Sequence, residues 1–98
     1  MKKEFKLTDP KLAPARQVDA VKHEINKYIA RERRKTLSYG VDFWDFDCKF
    51  GNTKEDLKEI HLSEINKSID LQVSSGNESF YIEIIAKAGR RSGKNLKG

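Results

Sequence analysis

The chain has one cysteine, one tryptophan, two prolines and no long apolar run, and each scarcity closes off a class of protein. A lone thiol, Cys48, cannot form an internal disulfide, which fits a reducing cytoplasm. Met1-Lys2-Lys3 has the charge that opens a signal peptide, but no apolar stretch follows, so secretion is not expected. Nothing approaches the roughly 18 consecutive apolar residues of a membrane span, so no membrane partner is expected. No unit repeats at the roughly 20–50-residue period of a solenoid. No serine or cysteine has a visible histidine partner for nucleophilic catalysis. Gly89-Arg90-Arg91-Ser92-Gly93-Lys94 resembles a phosphate loop only superficially, because it lacks the spacing and a following helix. The residues suggest no cofactor.

What the chain does have is a dense aromatic segment at residues 41–50, V-D-F-W-D-F-D-C-K-F. It holds four of the nine aromatics and the only tryptophan and cysteine. Its polarity alternates, and successive side chains of a strand point to opposite faces. Trp44, Phe46, Cys48 and Phe50 fall on one face and should meet the core. Phe43, Asp45, Asp47 and Lys49 fall on the other and should meet water. A strand covered on both faces would read as a continuous apolar run, so one open sheet face is expected. Burial of Trp44 and Phe46 should stabilise the fold by roughly 1.5–3 kcal/mol each. Trp44→Ala is expected to be the most damaging single change.

A chain of 98 residues is one domain with one modest core. Charged residues make up 36% and hydrophobic residues 37%, which is lean but still globular. The net charge of +5 is unevenly spread. Residues 1–40 carry 11 Lys/Arg and 5 Asp/Glu, residues 41–86 carry 4 and 10, and residues 87–98 carry 5 and none. The first two segments cancel, so the whole excess lies at the C-terminal end. Residues 1–87 are expected to form a single α+β domain and residues 88–98 a flexible basic tail.

Along the chain, residues 4–8 alternate polar and apolar and suggest a short edge strand with Phe5 and Leu7 inward. Pro10 and Pro14 punctuate the loop after it. From Ala15 to about Leu37, Val18, Val21, Ile25, Tyr28 and Ile29 make an apolar stripe at helical spacing. Arg31, Arg33, Arg34 and Lys35 crowd its last turns, where cations complement the helix dipole. The segment 41–50 follows, then a turn at 51–54 and a second strand at 57–62, which together form a hairpin. Ser63 is a candidate N-cap for a second helix buried through Ile65, Ile69 and Val73, with Gly76 as its stop. Residues 79–87 read as the last strand. The order is that of a ferredoxin-like βαββαβ two-layer sandwich. Without the first strand it becomes αββαβ with a three-stranded antiparallel sheet.

Phe5-Lys6-Leu7-Thr8, Val21-Lys22-His23-Glu24, Arg31-Glu32-Arg33-Arg34-Lys35, the stretch 40–51 and Glu64-Ile65-Asn66-Lys67 resemble a family of short bacterial proteins of unknown function. G-V-D-F-W-D-F-D-C-K-F-G is the most distinctive of these. The resemblance implies a bacterial cytoplasmic protein and supplies no catalytic residue, ligand or partner.

Two constellations could carry chemistry. The first is basic: Arg31, Arg33, Arg34 and Lys35 at the helix end, with Lys87, Arg90, Arg91, Lys94 and Lys97 beyond. Clustered Lys/Arg neutralise phosphates and release counterions, which gives salt-dependent, sequence-blind binding to RNA, on or off the ribosome, or to DNA. The plainer reading is a solvated helix end and a solubilising terminus. Base stacking on the open sheet face is not expected, because Phe43 and Tyr81 stand there among Asp45, Asp47, Glu59 and Glu83. The second constellation is acidic. A register that sets Asp45 opposite His61 and Asp47 opposite Glu59 would converge four groups suited to Mg, Mn or a non-haem metal. A solvated charged face with Lys49, Lys58 and Lys87 interleaved is the plainer reading, and a protein partner or a second copy of the chain is a third. The expected function is a small binding module for RNA through the basic end. The alternatives are a protein-interaction or regulatory module using the acidic face, then a metal-dependent enzyme.

Overall fold

The computed structural model describes residues 1–90. Each periodic stretch becomes an element, in the order β1 (Lys2–Lys6), α1 (Pro14–Arg33), β2 (Phe43–Gly51), β3 (Lys58–Ile60), α2 (Ile65–Ser74) and β4 (Ser79–Gly89). Single turns of 3-10 helix at Lys54–Asp56 and Leu62–Glu64 flank β3. The first strand exists, so the three-stranded alternative falls. It starts two residues earlier than the alternation suggested, but Phe5 and Leu7 do turn inward, and Leu7 N–H still donates to the Glu78 carbonyl at 2.7 Å.

All neighbouring strands are antiparallel, in the order β1-β4-β2-β3. The βαββαβ succession and the α+β class are as expected. The strand that separates β1 from β2 is β4, because only β4 is long and apolar enough to be covered along its length. It spans 11 residues, and Phe80, Ile82 and Ile84 are all 0% exposed. β3 has three residues and could not satisfy the backbone of two neighbours, so it takes an edge.

Both helices lay their apolar stripes on one sheet face and share one core. Val18, Val21, Ile25 and Ile29 of α1 and Ile65 and Ile69 of α2 meet Phe5, Leu7, Phe46, Cys48, Phe50, Phe80, Ile82 and Ile84. Phe80 lies at its centre, stacked between Phe5 (centroids 5.5 Å apart) and Phe50 (4.8 Å). Trp44 is half-buried at the margin rather than central, and its indole N–H donates to the Lys35 carbonyl at 2.8 Å. Val73 does not join the core. It is 42% exposed, because α2 ends at Ser74, where Gly76 at φ +78° closes a Schellman turn with Asn77 N–H on the Gln72 carbonyl at 3.1 Å. Ser63 does not cap α2 directly. His61 caps the preceding 3-10 turn, its Nδ1 accepting from Ser63 N–H at 3.2 Å while Glu64 accepts from His61 N–H at 3.0 Å.

The hairpin register is displaced by two residues from the expected one. Cys48 faces Ile60, Lys49 faces Glu59 and Phe50 faces Lys58. The expected register would have set Asp47 against Glu59, and like charges directly opposite are destabilising. The observed one sets Lys49 there instead. It extends a row of alternating charge across the whole sheet, Lys2, Glu83, Lys49 and Glu59.

Candidate nucleic-acid interface

α1 ends under a cluster of cations and cannot continue, because the chain must turn back into β2. Trp44 fixes that return by bonding the Lys35 carbonyl, and the Arg33 guanidinium lies 5.7 Å from the Phe46 ring centroid. The C-terminus of α1 therefore sits over the N-terminal half of β2. Trp44 pairs with Ala88 and Phe43 with Gly89 on β4, so the end of β4 reaches the same place. A Cβ built on Gly40 would stand 3.9 Å from Arg90 Nη2. The fold thus gathers Arg33, Arg34, Lys35 and Arg90 at one end of the molecule, with Arg31 one turn back over Tyr28. Among the described residues only Lys35 of this group is ion-paired, to Glu32 at 2.9 Å. The C-terminal helix dipole contributes about half a negative charge, and the four cations outweigh it together with the carboxylates of Glu32 and of Asp42, whose backbone N–H donates to the Gly89 carbonyl beside Arg90.

Lys87 does not belong to this cluster. It projects from the open face of the sheet, where Nζ donates to Asp47 at 2.7 Å and lies 3.9 Å from Asp45. The hydrogen bond and charge of Asp47, then the charges of Asp45 and Glu59, hold its ammonium above the usual lysine range. β4 runs two residues past Lys87, so Ala88 and Gly89 are strand rather than tail. Arg91, Lys94 and Lys97 lie outside the described residues.

The four candidate metal ligands, Asp45, Asp47, Glu59 and His61, all line a groove beside β2, but they are not arranged as a ligand set. The two-residue displacement takes Asp45 away from His61, His61 is engaged as a cap, Glu59 stands opposite Lys49, and Lys87 occupies the space between Asp45 and Asp47. Among the described residues no three His, Cys, Asp or Glu side chains are arranged to hold a metal ion. The open face is charged but mixed, since Lys2, Lys49 and Lys87 alternate with its carboxylates. Lys58 is not among them, because it pairs with Phe50 and shares that residue's side of the sheet. Cys48 is 1% exposed and burial pushes its thiol up to about 11, helped by the charges of Asp47 and Asp45, so it is unreactive at neutral pH.

Two features escaped the sequence. Tyr39 is fully exposed in the loop between the basic helix end and β2, next to Gly40 at φ +82°. In the sequence it stands between Ser38 and Gly40, four residues past Lys35, with nothing beside it to mark it as more than a turn residue. The second is the outer edge of β2. β4 pairs along the whole of β2, but β3 pairs only with residues 48–50. The groove, of about 680 Å³, opens beside the unpaired half, with Trp44 and Phe46 on its wall, the carboxylates of Asp45, Asp47 and Glu59, and the cations of Arg33 and Lys87. No helix of the described residues is long and apolar enough to cross a membrane.

A model of a family of unknown function (DUF6172) matches residues 1–95. No curated protein and no solved structure matches.

Proposed function

The chain belongs to that family, whose activity has to be read from the surface of the fold, and we propose that it is a bacterial cytoplasmic module that binds RNA, free or on the ribosome, through its basic end. The observation that supports this reading is the convergence of Arg33, Arg34, Lys35 and Arg90 at the point where the chain leaves β4 for the basic residues 91–98. Among the described residues Arg33, Arg34 and Arg90 make no ion pair, Lys35 alone being held by Glu32, and such cations can neutralise phosphates. Tyr39, fully exposed among them, offers a face on which an unpaired base can stack. The competing reading, protein contact through an acidic sheet face, has less support, because that face alternates in sign.

Amide NMR titration with a short mixed-sequence single-stranded RNA tests the reading. Shifts should concentrate on residues 31–35, Tyr39, Gly40 and Arg90. Replacing Arg33, Arg34 and Lys35 with Gln should lower the salt slope of log affinity by about 2, at roughly 0.7 per phosphate lost. Deletion of residues 91–98 should lower it further and leave β4 intact. Absence of shifts at moderate salt, or shifts centred on Phe43 and Tyr81, would refute the basic end as the RNA site.

A further inference from the structure

We propose that the outer edge of β2, over residues 43–47, docks an extended segment of a partner protein in which basic and apolar residues alternate, added to the sheet as a further strand. This surface adjoins the basic end, since Arg33 lines the same groove, but the proposal does not rest on RNA binding there.

The backbone supplies the first part of the argument. Ile84 N–H donates to the Met1 carbonyl and Leu7 N–H to the Glu78 carbonyl, so the even-numbered residues of β4 bond β1. Antiparallel ladders alternate, so the odd-numbered residues of β4 turn toward β2 at Asp45, Asp47, Lys49 and Gly51, and at the end the Gly89 carbonyl accepts from Asp42 N–H. The amides and carbonyls of Trp44, Phe46, Cys48 and Phe50 then point to the other side. Ile60 and Lys58 take the last two. β3 goes no further, because the His61 cap turns the chain into the 3-10 helix at Leu62–Glu64. Trp44 and Phe46 are left facing the groove.

The side chains supply the second part. Along this edge aromatic residues on the helix side alternate with carboxylates on the open side. An added strand would place apolar residues against Trp44 and Phe46 and basic residues against Asp45 and Asp47. Asp45 and Asp47 share the single ammonium of Lys87, whereas Glu59 faces Lys49, so the two aspartates keep one negative charge between them for an incoming cation, with Arg33 also lining the groove. A second copy of this chain fits poorly, because antiparallel pairing of two such edges would set Asp45 and Asp47 against each other. A phosphate backbone would be repelled.

Asp45 adds a latch. Its Oδ1 accepts from Phe46 N–H at 2.8 Å, which blunts the edge while it is empty. A partner carbonyl would displace the carboxylate and release it to meet the partner's cation.

The test uses the full chain and a capped six-residue peptide of alternating lysine and valine, followed by amide NMR. Binding should shift and protect the Trp44 and Phe46 amides, and Asp47→Asn should weaken it several-fold without loss of the fold, since Asp47 is exposed. Two further peptides carry N-methyl groups on the lysines only or on the valines only. Strand addition uses the amides of one set, so one peptide should lose at least ten-fold in affinity and the other little. Equal binding of both would mean charge attraction alone and would overturn the proposal. So would an undisturbed edge at millimolar peptide, or shifts of the same amides with protein concentration, which would make a second copy the occupant.

Discussion

Phe80 is the side chain whose loss this fold would feel most. It is fully buried and stacks on Phe5 and Phe50, joining β1, β4 and β2 through one aromatic row. Phe80→Ala should cost about 3–5 kcal/mol, a large part of the roughly 5–15 kcal/mol that holds a small domain folded. Trp44→Ala should cost less, about 1–3 kcal/mol, because the indole is half-buried and loses one hydrogen bond to the Lys35 carbonyl. Urea melts of the two variants give the comparison, and equal midpoints would contradict it. The sequence showed which residues alternate inward but not which lies deepest, because depth depends on strand order. Cys48 gives a pH prediction. Its thiol ionises near 9 when exposed and near 11 in the fold. The folded state therefore holds the proton more tightly, and this contribution is whole below pH 9 and is lost as pH rises toward about 11. The loss should reach no more than about 3 kcal/mol, and Cys48→Ala should flatten that part of the stability profile. Thiol labelling at pH 8 should be slow until denaturant is added.

At the scale of elements, the boundaries follow from short-range chemistry that the sequence partly displayed. Gly76 at the end of α2 was legible, since a Schellman turn needs a positive φ there. The length of β3 was not. Leu57 to Leu62 looked like a strand by composition, but His61 and Glu64 bond each other's backbone region and convert its end into a 3-10 turn. Two strand glycines separate a stiff neighbour from a yielding one. A Cβ on Gly51 would come within 2.7 Å of the Asp56 carbonyl oxygen, which is fixed backbone. A Cβ on Gly89 would run into the Phe43 ring, whose side chain is 38% exposed and can swing away. Gly51→Ala should therefore cost about 1–3 kcal/mol, and Gly89→Ala about 1 kcal/mol or less with a displaced Phe43 ring. Thermal melts and the aromatic NMR signals of Phe43 distinguish the two.

For the whole molecule, charge was easier to read as a tally than as a map. The excess at the C-terminal end was plain from the sequence. Whether Arg33, Arg34 and Lys35 would meet Arg90 depended on β4 lying beside β2, a contact between distant parts of the chain. The same contact removed Lys87 from the basic group and gave it to Asp47. The register assumed for the acidic constellation was off by two because hairpin register is set by the turn, and the 3-10 turn at Lys54–Asp56 lengthened the connection. Lys87→Met should leave the salt dependence of the proposed RNA binding unchanged, whereas Arg33→Gln should reduce it. Fluorescence titrations across a salt series report both.

The row Lys2, Glu83, Lys49 and Glu59 has a consequence for how the sheet finds its alignment. Hydrophobic alternation and ladder bonding both have a period of two. Neither distinguishes the native alignment from one slipped by two residues, which keeps every apolar side chain inward. The charges do distinguish them. Slipping β3 by two brings Glu59 against Asp47, and slipping β4 by two brings Glu83 against the same residue. The row is a parity check written in charge over a code that is otherwise degenerate. Molar salt, with a screening length of about 3 Å, erases that check and leaves the turns alone to count residues.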